Sequence, residues 1–526
     1  MRTAVAAAVA FWGTAAALHY HRLGLTLAHY DARAHLVVSR RIFDSLLPGW
    51  QQVGAVWLPL PHLLNALPIQ IDPLYRSGAF AVALSIASMA LAAWAIASLI
   101  QRATGSAWGG IAAAALLMLN PNVLYLQSTP MTEPLLFGTT FLAVALIAKW
   151  ASASPTSATP PIPRPQPPTS RAQPPTSRPQ PPTSMAPGWA CVAAVLTRFE
   201  AWPIVAAAIV LAFVALRRHG WSMPAASRAV RGLALWPTWA IAAFLVNSKV
   251  TVGAWFVSSG FFIPDNPALG RPWLAWTQVW HGLAGLTGPV VPWLAVLSMI
   301  AIVTSVALET RRATLLLPLA LAACAALPWA AYFNGHPVRV RYDVPLIAAA
   351  AALLGAGVAL LPRVLQPIAT AVALGLSVWG AGPFDLGASV IVESRREAPD
   401  AEGRRAVTAY LAAHWDGQPI MMSMGSLGHY MHDLSASGFR VRDFLHEGNG
   451  ELWKYATASP RPYVEWIAIQ QKEDRDELFR QSNRDPRFLA GYERVAEGGG
   501  VVLYRRERHG GSPPNSQFPT SKDFGR

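Results

Sequence analysis

The stretch LAHYDARAHLVVSRRIFDS, residues 27–45, places the carboxylate of Asp31 close to the imidazole of His35 and to three guanidinium groups, Arg33, Arg40 and Arg41. Asp31 and His35 are four residues apart and share a face of a short amphipathic helix, with Ser39 on the same stripe. A carboxylate beside an apolar wall, sheltered from water, can have its proton affinity tuned and can take a proton from a sugar or protein hydroxyl. The same position also suits a plainer role, the N-cap of a helix beginning ARAHLVV. Both readings stand until the surrounding elements are placed.

Those elements belong to a membrane. Of 526 residues, 53% are hydrophobic and only 13% charged, against about a quarter charged in soluble domains. The net charge of +14 is spread between apolar runs and forms no dense basic face. That excludes nucleic acid as the expected partner and favours lipid headgroups and phosphate-bearing substrates. Cys191 and Cys324 both fall inside apolar segments, so neither a disulfide framework nor a cysteine metal site is expected.

Apolar runs near 3–20, 77–100, 108–126, 133–149, 188–198, 201–216, 232–247, 283–306, 313–333, 344–361 and 364–382 predict eleven transmembrane helices. The run at 188–198 is too short to cross alone and must be a broken or tilted helix inside the bundle. If the spans alternate, Arg2, Arg102, Lys149, Arg217, Arg218, Arg228, Arg231, Arg311, Arg312 and Arg363 lie on one side. By the positive-inside bias this is the cytoplasm. The N-terminus is then cytoplasmic, although a small-residue triplet at 15–17 also leaves room for a cleaved signal peptide without changing the remaining topology. The loops 21–76, 248–282 and 334–343, and everything after 383, are extracytoplasmic.

This parity puts Arg33, Arg40, Arg41, Arg76, Arg198, Lys249, Arg271, Arg339 and Arg341 on the side where positive charge is scarce. An anionic ligand at the outer surface is one reason for such placement, and headgroup contact and ion pairing are another. The first outer loop, 21–76, is rich in Trp, Pro and Leu and is expected to form surface-lying helices that roof a cavity. Residues 151–187 repeat QPPTS and have little to bury, which predicts a disordered or polyproline-type cytoplasmic loop.

Past the last span the composition changes. ESRREAPDAEGRRAVTAYLAAHW reads as an amphipathic helix, and PIMMSMG, YVEWIAIQ and VVLYRRE read as short strands. The expectation is a small α/β domain over 383–508 with a disordered tail over 509–526. GNGELW, lacking a preceding strand at phosphate-loop spacing, reads as a turn.

The order of HYDARAHLVVSRRIFDSLLPG, WLPLPHLL, STPMTEPLL, LTRFEAWP and RVRYDVPL along residues 1–380 resembles the GT-C superfamily of integral-membrane glycosyltransferases. It is most similar to bacterial relatives of the protein O-mannosyltransferases and aminoarabinose transferases. The resemblance implies a GT-C-like transmembrane domain over 1–382. It also implies transfer of a sugar from a polyprenyl-phosphate-linked donor to a lipid, glycan or protein acceptor on the extracytoplasmic face of the inner (plasma) membrane, with inversion at the anomeric carbon. Asp31 matches the acidic residue of the family's first outer loop and would be the general base. Many relatives carry a second acidic residue directly after it. Here Ala32 stands there, which leaves metal dependence and acceptor class open.

On the same resemblance Glu133 would orient the acceptor or bind sugar hydroxyls, its plainer role being a helix N-terminal carboxylate. Arg198 and Arg341 would grip the donor phosphate and stabilise the leaving group, their plainer role being interfacial snorkelling. His35, His62 and Tyr342 would line the cavity. Neither a nucleotide-sugar fold nor a phosphate-cradling glycine loop is visible in the sequence, in agreement with a lipid-linked donor, and no soluble cofactor is implied. Three rival readings remain. A transporter or flippase of lipid-linked glycans should show repeat-related halves. An O-antigen ligase or polymerase usually has its largest outer loop late in the chain. A non-catalytic scaffold would not need Asp31.

Overall fold

The computed structural model describes residues 1–152, 185–257, 264–471 and 476–507. Most of the expected Pro-rich loop and the expected C-terminal tail therefore lie outside the described residues.

Among the described residues, eight helices are long and apolar enough to cross a bilayer: Arg2–Arg22, Ala79–Thr104, Glu133–Ala151, Ala201–Arg218, Met223–Val252, Val290–Leu308, Thr310–Phe333 and Val340–Leu360. Three shorter apolar helices, Ala107–Leu119, Met185–Val195 and Gln366–Val378, occupy the other three expected spans. The short segment near 188 is thus a short helix packed inside the bundle, since Ala190, Cys191, Ala194 and Val195 are buried.

Several span boundaries need correction. The run 108–126 is split at Asn120, whose side chain accepts from the Asn122 and Val123 amides and caps a new helix, Pro121–Leu126. The run 283–306 straddles two helices, Pro272–Thr287 and Val290–Leu308. Gly288, at φ 86°, and Pro289 separate them. The 310–333 span is a 3-10 helix as far as Ala325 and an α-helix only from Ala326. Its Pro318 lacks an amide to donate.

Small residues let these helices touch. A Cβ on Gly109 would meet the Gly355 carbonyl at 2.5 Å and the Ala359 Cβ at 2.6 Å. Helices 107–119 and 344–360 therefore pack backbone to backbone, as small residues permit inside a bilayer.

The loop between the first two spans, residues 21–76, forms helices Tyr30–Arg40, Leu60–Ala66 and Asp72–Ser77. Beyond the bundle, β1 (Ile420–Met422), β2 (Phe444–Leu445), β3 (Trp466–Gln470), β4 (Tyr492–Gly498) and β5 (Val501–Arg506) make one sheet in the order β2-β1-β3-β5-β4. β1 runs parallel to β2 and β3, and β5 runs antiparallel to β3 and β4. β1, β3 and β5 match the three expected runs. β2 has two residues and β4 buries only its first, so neither has an apolar run to read. The expected helix from Glu393 is instead three pieces, Ser389–Arg395, Ala398–Gly403 and Arg405–His414. Pro399 starts the second, and Gly403 lies against the backbone of Gly499.

The sheet domain and the loop 21–76 share one apolar core, which includes Leu36, Val37, Ile69 and Tyr75 from the loop and Leu427, Met431, Phe444 and Trp466 from the domain. Polar bonds follow the same seam. Arg33 binds both Asp433 oxygens at 2.5 and 2.7 Å, and Arg442 binds Asp44 at 2.7 Å. His432 Nε2 donates to the Tyr75 carbonyl at 3.0 Å, and Gln52 donates to the Gly448 carbonyl at 2.9 Å.

Candidate active site

Four elements far apart in sequence converge at one place. The first is the N-terminus of helix Tyr30–Arg40. Its cap is His29, whose Nδ1 accepts from the Asp31 amide at 3.1 Å, so Asp31 is not the N-cap. It sits in the first helical turn, its side chain free of capping and favourably placed in the helix dipole. The second is Glu133, which opens helix Glu133–Ala151 ahead of Pro134. The third is the turn between helices 185–195 and 201–218, which carries Arg198 and Glu200. The fourth is the 3-10 turn Val340–Asp343 with Arg341.

Their side chains alternate in charge. Arg341 Nη1 is ion-paired and hydrogen-bonded to Asp31, and its Nε lies 3.7 Å from Glu133 Oε1. Arg198 Nη1 is 3.1 Å from the same Glu133 oxygen and 2.9 Å from Thr132 Oγ1. Arg198 also grips Glu200, through Nη2 at 2.7 Å and Nε at 3.2 Å. The chain Asp31, Arg341, Glu133, Arg198, Glu200 therefore sets three carboxylates against two guanidinium groups. Glu133 is fully buried, yet neither of its oxygens makes a hydrogen bond of good geometry with the protein. Among the described residues their capacity to accept a hydrogen bond is unused, although Oε1 is ion-paired with Arg198.

Burial works to push the Asp31 carboxyl up, but Arg341, with smaller help from His29 and His35, more than offsets this and holds it at about 2. Burial pushes Arg198 down, and Glu133 and Glu200 outweigh it, so Arg198 stays firmly cationic. His29 is lowered to about 3, by burial first and then by Arg341, and caps the helix as a neutral imidazole.

Of the residues singled out from the sequence, Asp31, Glu133, Arg198 and Arg341 are brought together. His35 and His62 form a separate pair about one helical turn away, Nδ1 to Nε2 at 3.0 Å. Trp57 lies against both, its ring centroid 4.1 Å from that of His35 and 5.8 Å from that of His62. Burial lowers both imidazoles, His62 to about 3. Tyr342 follows Arg341, but its hydroxyl lies 3.3 Å from His336 Nε2. Arg33 and Arg40, read from the sequence as partners for an outer anion, are committed to ion pairs within the protein, Arg33 to Asp433 and Arg40 to Asp44 and Asp72. Sequence reasoning passed over Glu200, two residues beyond Arg198 in the same motif, and also His29 and Thr132. Among the described residues no group of three or more His, Cys, Asp or Glu is arranged to hold a metal ion.

No protein-family model matches the sequence, and no curated protein matches it. In three dimensions the chain resembles ArnT from Cupriavidus metallidurans. The crystal structure of ArnT bound to undecaprenyl phosphate aligns with a TM-score of 0.52 at 14% identity, covering 94% of this chain and 97% of ArnT. The apo structure aligns with a TM-score of 0.54 at 13% identity, covering 94% and 96%. The chain has the ArnT fold. ArnT is an aminoarabinose transferase and a GT-C glycosyltransferase, so the polytopic GT-C-like architecture expected from the ordered motifs is the one found. Coverage of nearly the whole of both chains extends the likeness past the bundle into the C-terminal sheet domain.

Proposed function

We propose that this protein is an integral-membrane glycosyltransferase that moves a sugar from a polyprenyl-phosphate-linked donor to a hydroxyl of a lipid, glycan or protein acceptor at the extracytoplasmic face of the inner membrane. The observation that carries the reading is the convergence of Asp31, Glu133, Arg198 and Arg341 from four elements in a fold shared with ArnT.

In this reading the acceptor oxygen attacks the anomeric carbon as the bond from that carbon to the phosphate oxygen breaks. The hydroxyl proton goes to Asp31, and the negative charge leaves on polyprenyl phosphate. Arg341 and Arg198 neutralise that charge as it forms, in a site with little water, where fixed cations are most effective. Glu133 accepts hydrogen bonds from sugar or acceptor hydroxyls with carboxylate oxygens that make no hydrogen bond to the described residues. Inversion at the anomeric carbon follows from a single displacement. No soluble cofactor enters these steps.

The donor's apolar tail has a fitting place. A groove of about 730 Å³ is lined by Trp50 and Leu63 of the first outer loop and by Trp189, Leu196, Trp236 and Phe244 of the bundle. Leu196 is two residues before Arg198, and its carbonyl accepts from the Leu60 amide at 2.9 Å. A chain lying in the groove therefore ends near the arginines.

The test is binding and turnover by the purified protein in nanodiscs with a panel of polyprenyl-phosphate sugars. Release of polyprenyl phosphate from one donor, coupled to glycosylated acceptor, supports the reading. Failure to bind polyprenyl phosphate at all contradicts it.

A further inference from the structure

The two guanidinium groups are not held alike. Arg198 is fixed on three sides, by Glu200, Thr132 and Glu133. Arg341 makes its one short carboxylate contact with Asp31, and its approach to Glu133, at 3.7 Å, is too long for a hydrogen bond. Arg341 is also carried by a four-residue 3-10 turn between two helices, where Arg198 is braced from its own motif. The group best able to move is thus the one that covers the candidate base.

We propose that Arg341 is a substrate-operated latch, ion-paired to Asp31 in the resting site and drawn onto the donor phosphate when the donor binds, which frees the Asp31 carboxylate to take the acceptor's proton. This rests on the glycosyltransferase reading and adds regulation to it. The need for a latch is chemical. A carboxylate locked on a guanidinium has both its charge and its best lone pair engaged, and proton transfer is most efficient when the acceptor's affinity is near the working pH. A phosphodiester competes for the same planar fork, because guanidinium pairs with phosphate as well as with carboxylate. Glu133, behind Arg341, keeps a counter-charge beside the arginine along the way. Donor would therefore bind before acceptor chemistry can start, and a site without donor would not activate water.

The other groups facing Asp31 do not replace Arg341. From its own segment come His29, Tyr30 and His35. Burial lowers both imidazoles, and Tyr30 is raised, by Asp31 first and then by burial. From the opposing elements come Arg339 and Tyr342, and Glu393 lies near Tyr30 and Arg341. With Arg341 withdrawn, the burial of Asp31 is left largely unopposed and its proton affinity rises.

The experiment is infrared difference spectroscopy of the full-length protein in nanodiscs. The Asp31 carboxyl band is assigned by its loss in Asp31→Asn and titrated with and without polyprenyl monophosphate. The expected result is an Asp31 midpoint that rises by at least about one pH unit when polyprenyl monophosphate binds, a tenfold change in proton affinity. In Arg341→Gln the midpoint should already be raised without ligand. Arg341→Lys, which keeps the charge and loses the fork, should lie between and serves if the glutamine variant does not fold. Polyprenyl monophosphate that binds and leaves the midpoint unchanged overturns the latch and leaves the transferase standing. Absence of binding overturns both.

Discussion

Arg341 ion-pairs with Asp31, 310 residues away in sequence, and holds Glu133 Oε1 at 3.7 Å from its Nε. One side chain thus ties the loop 21–76 to two membrane-spanning helices. Because the same guanidinium is the proposed phosphate ligand, Arg341→Ala should weaken polyprenyl-phosphate binding by roughly 10- to 100-fold, the usual worth of one charged hydrogen bond. Arg198→Ala should do the same. Glu200→Gln, which loosens Arg198 without removing it, should cost less, roughly tenfold or below. Equilibrium binding of labelled polyprenyl phosphate measures all three. Equal affinity in wild type and Arg341→Ala places the phosphate elsewhere.

The seam between the outer loop and the sheet domain makes a second claim. Arg33 shares a helix with Asp31 and donates through its single nitrogen Nη1 to both Asp433 oxygens, so the domain positions the helix that carries the candidate base. Arg33→Ala and Asp433→Ala should each lower turnover, with donor affinity changed little. A double-mutant cycle should give a coupling of about 0.5–3 kcal/mol. Purely additive effects would mean that the domain does not act through this pair.

Stability should fall with acid through the buried histidine pair. His35 and His62 have folded-state affinities below the ordinary histidine value, His62 at about 3, so the unfolded chain takes up more protons as pH drops through 6.5. Their contribution is complete above about pH 6.5. It is lost as pH falls from there toward the folded values, by up to a factor of about ten per pH unit for each imidazole. Asp31, also lowered, acts only in the separate window from its ordinary 3.8 down to about 2. Thermal unfolding in nanodiscs between pH 7.5 and 5 should show a falling midpoint, flatter in His35→Gln and His62→Gln. A flat wild-type curve would show the pair to be solvated.

Close packing gives a fourth prediction. Gly109→Ala and Gly355→Ala place a Cβ on the facing helix backbone, where neither helix can retreat without loosening the bundle. Each should destabilise by about 1–3 kcal/mol, as overpacking does. Gly285→Ala, with nothing nearby, should be close to neutral. Thermal midpoints compare the three.

Much of this was legible in the sequence because bilayer crossing imposes length and apolarity on each span. Eleven apolar segments could be found by that rule alone. What it hid were the breaks. Asn120 with Pro121, and Gly288 with Pro289, interrupt runs whose hydropathy continues across them. At the site, Asp31 stood out by its helical spacing to His35, and Glu133, Arg198 and Arg341 by the ordered motifs that resemble the GT-C transferases. Glu200 did not, although it lies in the same motif, because its role depends on a turn that folds it back on Arg198. Arg33 and Arg40 misled for the converse reason. Asp433 is 400 residues from Arg33 and Asp72 is 32 from Arg40, which no local pattern reveals, whereas Asp44, four residues after Arg40, was a local partner that went unread.

The central claim is that Asp31 takes the acceptor's proton in a sugar transfer from a polyprenyl-phosphate donor. Its most direct test is sugar transfer by purified wild type and Asp31→Asn in nanodiscs, with donor binding measured on the same samples. One donor should be turned over by wild type, and Asp31→Asn should lose transfer by at least about a hundredfold, the lower range of general-base catalysis, while still binding donor. Transfer by Asp31→Asn at the wild-type rate would contradict it.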